Sequence, residues 1–236
     1  MKEVEFSDKY NPLFYLLDAR EEYKNGNQEY KAEAGVEIVL VSGGRDSGKT
    51  FALGCLIATA ADSYNHRILY TRYTMTSTGN SITRALDNRL ELLELTDSFD
   101  FANNDYTAKK GKGLISVTGQ KTSSGQQSAK LKSIEDYSIF VTEEGEELQS
   151  FDEWEKIKRS IRANDVQALS IIIFNPPTKD HMLYTSFYQG VPEGFNGIIG
   201  NIMYVHTTYV DNGQENMAPH NWNEYERLRK VYEYYL

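Results

Sequence analysis

Apolar and polar residues follow two rhythms along this chain. Short apolar runs occupy Glu37–Ser42, Arg67–Tyr73, Leu114–Thr118, Tyr137–Thr142, Ala168–Phe174 and Ile202–Thr207. Runs of this length bounded by turn residues predict buried strands. Between them, Phe51–Ala60 is apolar almost throughout, and Ser81–Leu95 carries Ile82, Leu86, Leu90 and Leu93 on one helical stripe. Phe151–Ile161 and the charged, tyrosine-rich stretch Trp222–Leu236 also read as helices. Strands alternating with helices predict an α/β fold, with a mainly parallel central sheet and helices on both faces. No internal repeat is visible.

A length of 236 residues suits one such domain with an appendage. The net charge of −9 argues against a surface that coats nucleic acid generally. A local contact remains open: Lys109, Lys110, Lys112, Lys121, Lys130 and Lys132 cluster in a stretch rich in Gly, Ser and Gln. That cluster suits a polyanion contact and a solvated loop equally. The single cysteine, Cys55, falls on an apolar helix and reads as packing. One cysteine allows no intrachain disulfide, which fits a reducing compartment. The start Met1–Phe6 is charged, unlike a signal peptide, and no apolar stretch approaches a membrane span. A soluble intracellular protein with no membrane partner is the expectation.

Between the strand ending at Ser42 and the helix from Phe51 stand Gly43, Gly44, Arg45, Asp46, Ser47, Gly48, Lys49 and Thr50. They complete the phosphate-loop pattern G-x-x-x-x-G-K-[ST] in the strand–loop–helix context that gives the pattern meaning. A helix N-terminus presents unpaired N–H groups and a partial positive charge to phosphate. Gly43 and Gly48 are expected to take positive φ and let the backbone approach the phosphate oxygens. Lys49 reaches the β- and γ-phosphates, and the Thr50 hydroxyl ligates Mg²⁺. Arg45 adds a second cation able to read the γ-phosphate. ATP and Mg²⁺ are the expected ligands.

The strand Tyr137–Thr142 delivers Glu143 and Glu144 at its carboxyl end, where ligands sit in open parallel sheets. Glu143 is assigned to the metal's hydration shell. Glu144 is assigned to orienting and partly deprotonating the water that attacks the γ-phosphate. Glu146 and Glu147 are expected to open the next helix. Asn175 closes the strand before Pro176 and Pro177 and is the candidate for sensing the γ-phosphate and coupling it onward. Tyr10 and Phe14 suit either the adenine base or the core.

Together these residues resemble the ATPase domain of the large terminase subunit of tailed bacteriophages, over most of the chain. The resemblance runs from Lys9–Phe14 through the Arg-containing loop and then Gly119–Gly125 and Ala129–Ile134. It continues with the acidic stretch Glu143-Glu144 to Leu148, then Phe174-Asn-Pro-Pro to His181, and His206–Asn212. Gly145 stands where that family commonly has Ala. The resemblance implies a P-loop NTPase of the additional-strand, catalytic-glutamate type, hydrolysing ATP to move double-stranded viral DNA into the prohead. It implies an ATPase domain over 1–211 and a linker or lid helix over 212–236. Its partners would be DNA, the small terminase subunit, the portal protein and further copies in a ring, in the host cytoplasm. In such rings a neighbour's basic residue completes each site, with Arg72, Arg84, Arg159 and Arg162 as candidates. An arginine finger is worth about three to five orders of magnitude in rate, so slow turnover is expected of the lone chain. The family's RNase H-like nuclease has no counterpart before Leu236, so no cleavage activity is expected of this chain. A helicase-like ATPase or a nucleotide kinase is the competing reading. A kinase needs an arginine-bearing lid and a helicase a second RecA-like domain or a ring. A nonenzymatic nucleotide switch would leave Glu144 idle.

Overall fold

All six expected strands form, and they lie in one sheet. In this computed structural model, which describes residues 4–74, 78–121, 136–163 and 167–235, they are β1 (Ile38–Gly43), β2 (Arg67–Thr74), β5 (Leu114–Lys121), β6 (Ile139–Thr142), β7 (Leu169–Phe174) and β9 (Ile202–Thr207). Three short strands add antiparallel edges: β3 (Phe99–Ala102), β4 (Asp105–Ala108) and β8 (Gly197–Ile199). The order is β3-β4-β5-β2-β6-β7-β1-β9-β8, and the six central strands are parallel. Between the loop-bearing β1 and the acid-bearing β6 runs β7. This inserted strand is the additional strand that the resemblance implied.

The sheet is buried on both faces because its strands are apolar at successive positions. Val39 and Val41 of β1, with Ile171 and Ile173 of β7, pack beneath α1 (Asn11–Lys24), α3 (Lys49–Tyr64) and α4 (Thr78–Leu92). Ile38 and Leu40, with Ile172 and Phe174, point the other way and meet Trp154 and Ile157 of α5 (Phe151–Ser160). Alternation within an all-apolar strand is what a doubly covered parallel sheet requires. Ser150 caps α5, its Oγ accepting from the Glu153 N–H at 3.3 Å. Two further helices, α6 (Tyr209–Asn212) and α7 (Pro219–Tyr235), follow β9. Cys55 is buried in α3, as expected of a packing residue.

The structure differs from expectation in several places. Glu146 and Glu147 do not open a helix: Gly145–Glu147 is a single 3₁₀ turn, and α5 starts only at Phe151. The turn forms because Gly145 lies against β7, where an added Cβ would come 2.5 Å from Ile172 Cγ2. The lysines do not form one patch. Lys109, Lys110 and Lys112 are exposed before β5, whereas Lys121 ends it, roughly 25 Å away at strand rise, paired with Glu153 at 2.8 Å. Lys130, Lys132 and the stretch Ala129–Ile134 lie outside the described residues, as does 122–125 of the Gly119–Gly125 motif. Among the described residues no helix is long and apolar enough to cross a membrane.

The Gly145 contact yields a test. Ile172 is β-branched and fixed in the strand, so Gly145→Ala overpacks this turn and should cost about 1–3 kcal/mol in stability. Thermal or urea unfolding measures it; unchanged stability would mean that the turn does not pack against β7 as described.

Candidate functional site

The carboxyl ends of β1, β6 and β7 meet at one cavity of about 510 Å³. Arg45, Asp46, Ser47, Gly48, Lys49 and Thr50 line one side of it. Arg72, Glu143, Glu144, Glu146 and Asn175 line the other. Lys49 and Glu144, 95 residues apart in the sequence, therefore share one cleft.

The loop takes its shape from two left-handed residues, Asp46 (φ 58°) and Gly48 (φ 84°). Gly43, expected to have positive φ, does not; its constraint is space. A Cβ there would lie 2.3 Å from the Thr207 carbonyl oxygen and 2.8 Å from Ser47 Oγ. Gly44 is exposed beside it. Tyr10 supports the loop from below, donating through its hydroxyl to the Ser47 carbonyl at 2.8 Å and sharing a 2.7 Å hydrogen bond with Thr207 Oγ1. That buried position excludes Tyr10 from a base-stacking role, and Phe14 stacks on Phe6 against the core. Phe6 and Phe51 are aromatic side chains that do reach the cavity wall. Sequence reasoning missed Phe6 because nothing in its spacing ties it to the loop.

Lys49 curls over the loop. Its Nζ donates to the carbonyls of Gly43 (2.6 Å) and Gly44 (2.7 Å), to Ser47 Oγ (3.2 Å) and to Asn175 Oδ1 (3.3 Å). Burial pulls the ammonium down to about 8, partly offset by the nearby carboxylates of Glu146, Asp46 and Glu143. Arg45 is exposed at the cavity wall.

Opposite stand the two acids. Glu143 is buried, and its Oε1 accepts from Thr50 Oγ1 at 2.9 Å. This pairing supplies two hard oxygens side by side, a donor set that fits Mg²⁺ completed by water and phosphate. Among the described residues no cluster of three or more His, Cys, Asp or Glu offers an all-protein cation cage. Glu144 follows at φ 55°, a left-handed conformation uncommon for a residue with a Cβ. That bend swings its side chain out of strand direction. Burial pushes its carboxyl above the ordinary range, while Arg72 pulls it back.

Arg72 lines the cavity of its own chain. Expected among the candidates for a neighbour's site, it sits between its own acids. Nε donates to Glu143 Oε2 at 3.1 Å, and the guanidinium meets Glu144 Oε1 at 2.8 Å. Its place at the carboxyl end of β2, adjacent to β6, was the available signal. Arg84 and Arg162 are exposed, and the exposed Arg159 pairs with Glu155 at 2.8 Å. Asn175, the candidate γ-phosphate sensor, lines the cavity, its Nδ2 donating to Glu146 Oε1 at 2.5 Å. Glu146, assigned to a helix start, is a wall of the cavity instead.

The C-terminal segment closes over the loop. Asn212 Nδ2 donates to the Asp46 carbonyl at 2.9 Å, and Asn221 and Tyr225 of α7 donate to the Asp46 carboxylate at 2.9 and 3.0 Å.

The family described as phage terminase large subunit matches residues 36–235. No curated protein matches the chain. Among solved structures, the large terminase from a thermophilic bacteriophage aligns with TM-score 0.64 and 16% identity, over 95% of this chain and 50% of that one. The same terminase in complex with ATP-γ-S gives TM-score 0.60 and 15% identity, over 94% and 49%. The N-terminal domain of the bacteriophage phi29 DNA packaging ATPase gives 0.57 and 14%, over 80% and 97%. The chain thus spans about half the length of the thermophilic phage's terminase. At these identities the likeness is one of fold, that of a P-loop NTPase.

The low Lys49 value has a consequence for binding. The charged ammonium favours phosphate, and bound phosphate raises its pKa, so affinity is full below about 8 and falls as pH rises through it. Titrating ADP binding from about pH 6.5 to about 9.5 should show that fall, and Lys49→Met should flatten it. Equal slopes in both proteins would remove Lys49 from the phosphate contact.

Proposed function

Because the chain belongs to the phage terminase large-subunit family, we propose that it hydrolyses ATP with Mg²⁺ to drive double-stranded viral DNA into a preformed capsid. The observation that carries this reading is the single cavity in which Lys49, Thr50–Glu143 and Glu144 meet.

The triphosphate lies along the loop, its charge met by the N-terminus of α3, by Lys49 released from the Gly43 and Gly44 carbonyls, and by Arg45 at the γ end. The backbone from Gly43 to Thr50 wraps the phosphates. Thr50 and, through water, Glu143 would hold Mg²⁺, which when bound would supply positive charge against that developing on the phosphate oxygens. Glu144 orients a water molecule. The water oxygen bonds to the γ-phosphorus as the bond to the β–γ bridging oxygen breaks, and ADP and phosphate leave. Glu144 accepts the water's proton. Arg72, acting within its own subunit, keeps the Glu144 carboxylate ionised and aimed until substrate arrives. Asn175 carries the state of the γ-phosphate into the segment after β7.

On this reading residues 1–211 form the ATPase domain and 212–236 a lid whose contacts with Asp46 lie over the loop. The working form is a homo-oligomeric ring at the portal in the infected cell's cytoplasm, with DNA and the small subunit as partners. The exposed Arg84, Arg159 and Arg162 are the candidates for a neighbour's site. A nucleotide kinase gains no support from the second cavity, which adjoins the first through Glu146 and carries no arginine among its described lining residues.

Mutation separates the roles. Lys49→Ala should weaken nucleotide binding, whereas Glu144→Gln should bind ATP yet lose about 10²–10⁴-fold in turnover. Because the Glu144 carboxyl is pushed up by burial, the acid limb of kcat/KM should lie above that of an ordinary carboxylate. Steady-state phosphate release across pH measures both. Full turnover by Glu144→Gln would assign the water to another group. Portal, small subunit or DNA should accelerate the wild type.

A further inference from the structure

We propose that Glu146 is a positioning residue of this site, holding the Asn175 amide in the orientation that lets the site tell a triphosphate from a diphosphate. The proposal rests on the reading that the cavity binds ATP, and deepens it.

Asn175 directly follows β7, the strand between the loop strand and the acid strand. Glu146 grips it twice: Oε2 accepts from the Asn175 backbone N–H at 3.1 Å, and Oε1 from Nδ2 at 2.5 Å. A carboxylate is acceptor-only, so it dictates which end of the amide it faces. Oδ1 is thereby turned to Lys49, at 3.3 Å. In this arrangement Asn175 offers its acceptor, rather than its donor, to the phosphate side.

The position of Glu146 extends the argument. Besides the nucleotide cavity, it lines a second one of about 780 Å³, bounded by Thr178, His181, Met182 and Thr185. Those residues belong to the stretch that follows Asn175-Pro-Pro. One carboxylate is therefore the wall between the phosphates and the coupling segment. It is also the carboxylate that most offsets the burial of the Lys49 ammonium. A γ-phosphate entering here draws Lys49 away from Asn175 Oδ1 and repels Glu146 at the same time. A diphosphate lacks the group that does both. Release of the Asn175 amide is thus tied to the third phosphate, through charge alone.

The test uses the full chain with Glu146→Ala, the near-isosteric Glu146→Gln, Asn175→Ala and the double variant Glu146→Ala/Asn175→Ala. The readouts are ATP-γ-S and ADP affinities, kcat and KM with ATP, and thermal stability. Glu146→Gln replaces one acceptor by a donor, so it should share the defect of Glu146→Ala despite its size. Both remove the charge that a γ-phosphate must repel, so they should raise the ATP-γ-S over ADP affinity ratio about tenfold while lowering kcat by a similar factor, because the Asn175 amide no longer responds to the third phosphate. The double variant should be no worse than Asn175→Ala, because the two residues act as one unit. An unchanged affinity ratio in Glu146→Gln, equal weakening of both nucleotides, or additive losses in the double variant would each overturn the proposal. The affinity ratio needs no turnover. A wild type that binds both nucleotides without hydrolysing ATP would therefore refute the functional reading while leaving this proposal decided on its own evidence.

Discussion

Charge balance at the carboxyl edge of the sheet is the constraint on which the site depends. Within one cavity, which Arg45, Asp46 and Glu5 also line, Lys49 and Arg72 face the carboxylates Glu143, Glu144 and Glu146. Each buried charge has a partner: Arg72 spans Glu143 and Glu144, and Lys49 rests on carbonyl oxygens and Asn175. Removing one member of such a set leaves its partner uncompensated at several kcal/mol, roughly 3–5 for a buried pair. The arrangement is therefore held together by the interactions that a triphosphate and its cation would exchange. Lys49 would leave neutral carbonyls for phosphate oxygens, and Thr50 would leave Glu143 for the metal.

The sheet makes this balance possible. Parallel strands β1 and β7 run side by side to Ser42 and Phe174, and β6 stops with Thr142 opposite Ile172, so the residues that follow converge without long loops. The inserted β7 gives Asn175 a place between loop and acids, and Gly145 lets the acidic turn lie flat against that strand. The left-handed bend at Glu144 then sends Glu143 inward toward Thr50 and Glu144 into the cleft. Local strain at such a residue persists because the flanking β6 and the 3₁₀ turn fix it from both sides.

Much of this was legible in the amino-acid sequence, for physical reasons. Central strands such as Ile171–Phe174 must be apolar on both faces, so their runs are unmistakable, and the loop pattern is constrained at several positions at once. The helix α1 was missed although Leu13, Leu16 and Leu17 carry its stripe, because Pro12 was read as a motif residue rather than a helix start. The β3–β4 hairpin was missed because its strands are four residues long, although Asn103 and Asn104 supply its left-handed turn. At the site, loop and acids were found from local pattern. The places of Arg72 and Glu146 were not, because each is fixed by a partner far away in the chain, which spacing does not encode.

The central claim is that Lys49 and Glu144 act on the two ends of one triphosphate. A crystal structure with ATP-γ-S and Mg²⁺ tests it most directly. The account predicts Lys49 Nζ on the β- and γ-phosphate oxygens, no longer on the Gly43 and Gly44 carbonyls, with Glu144 hydrogen-bonded to a water facing the γ-phosphorus. A nucleotide bound elsewhere, or one whose γ-phosphate lies out of reach of the Glu144 carboxylate even through water, would contradict it.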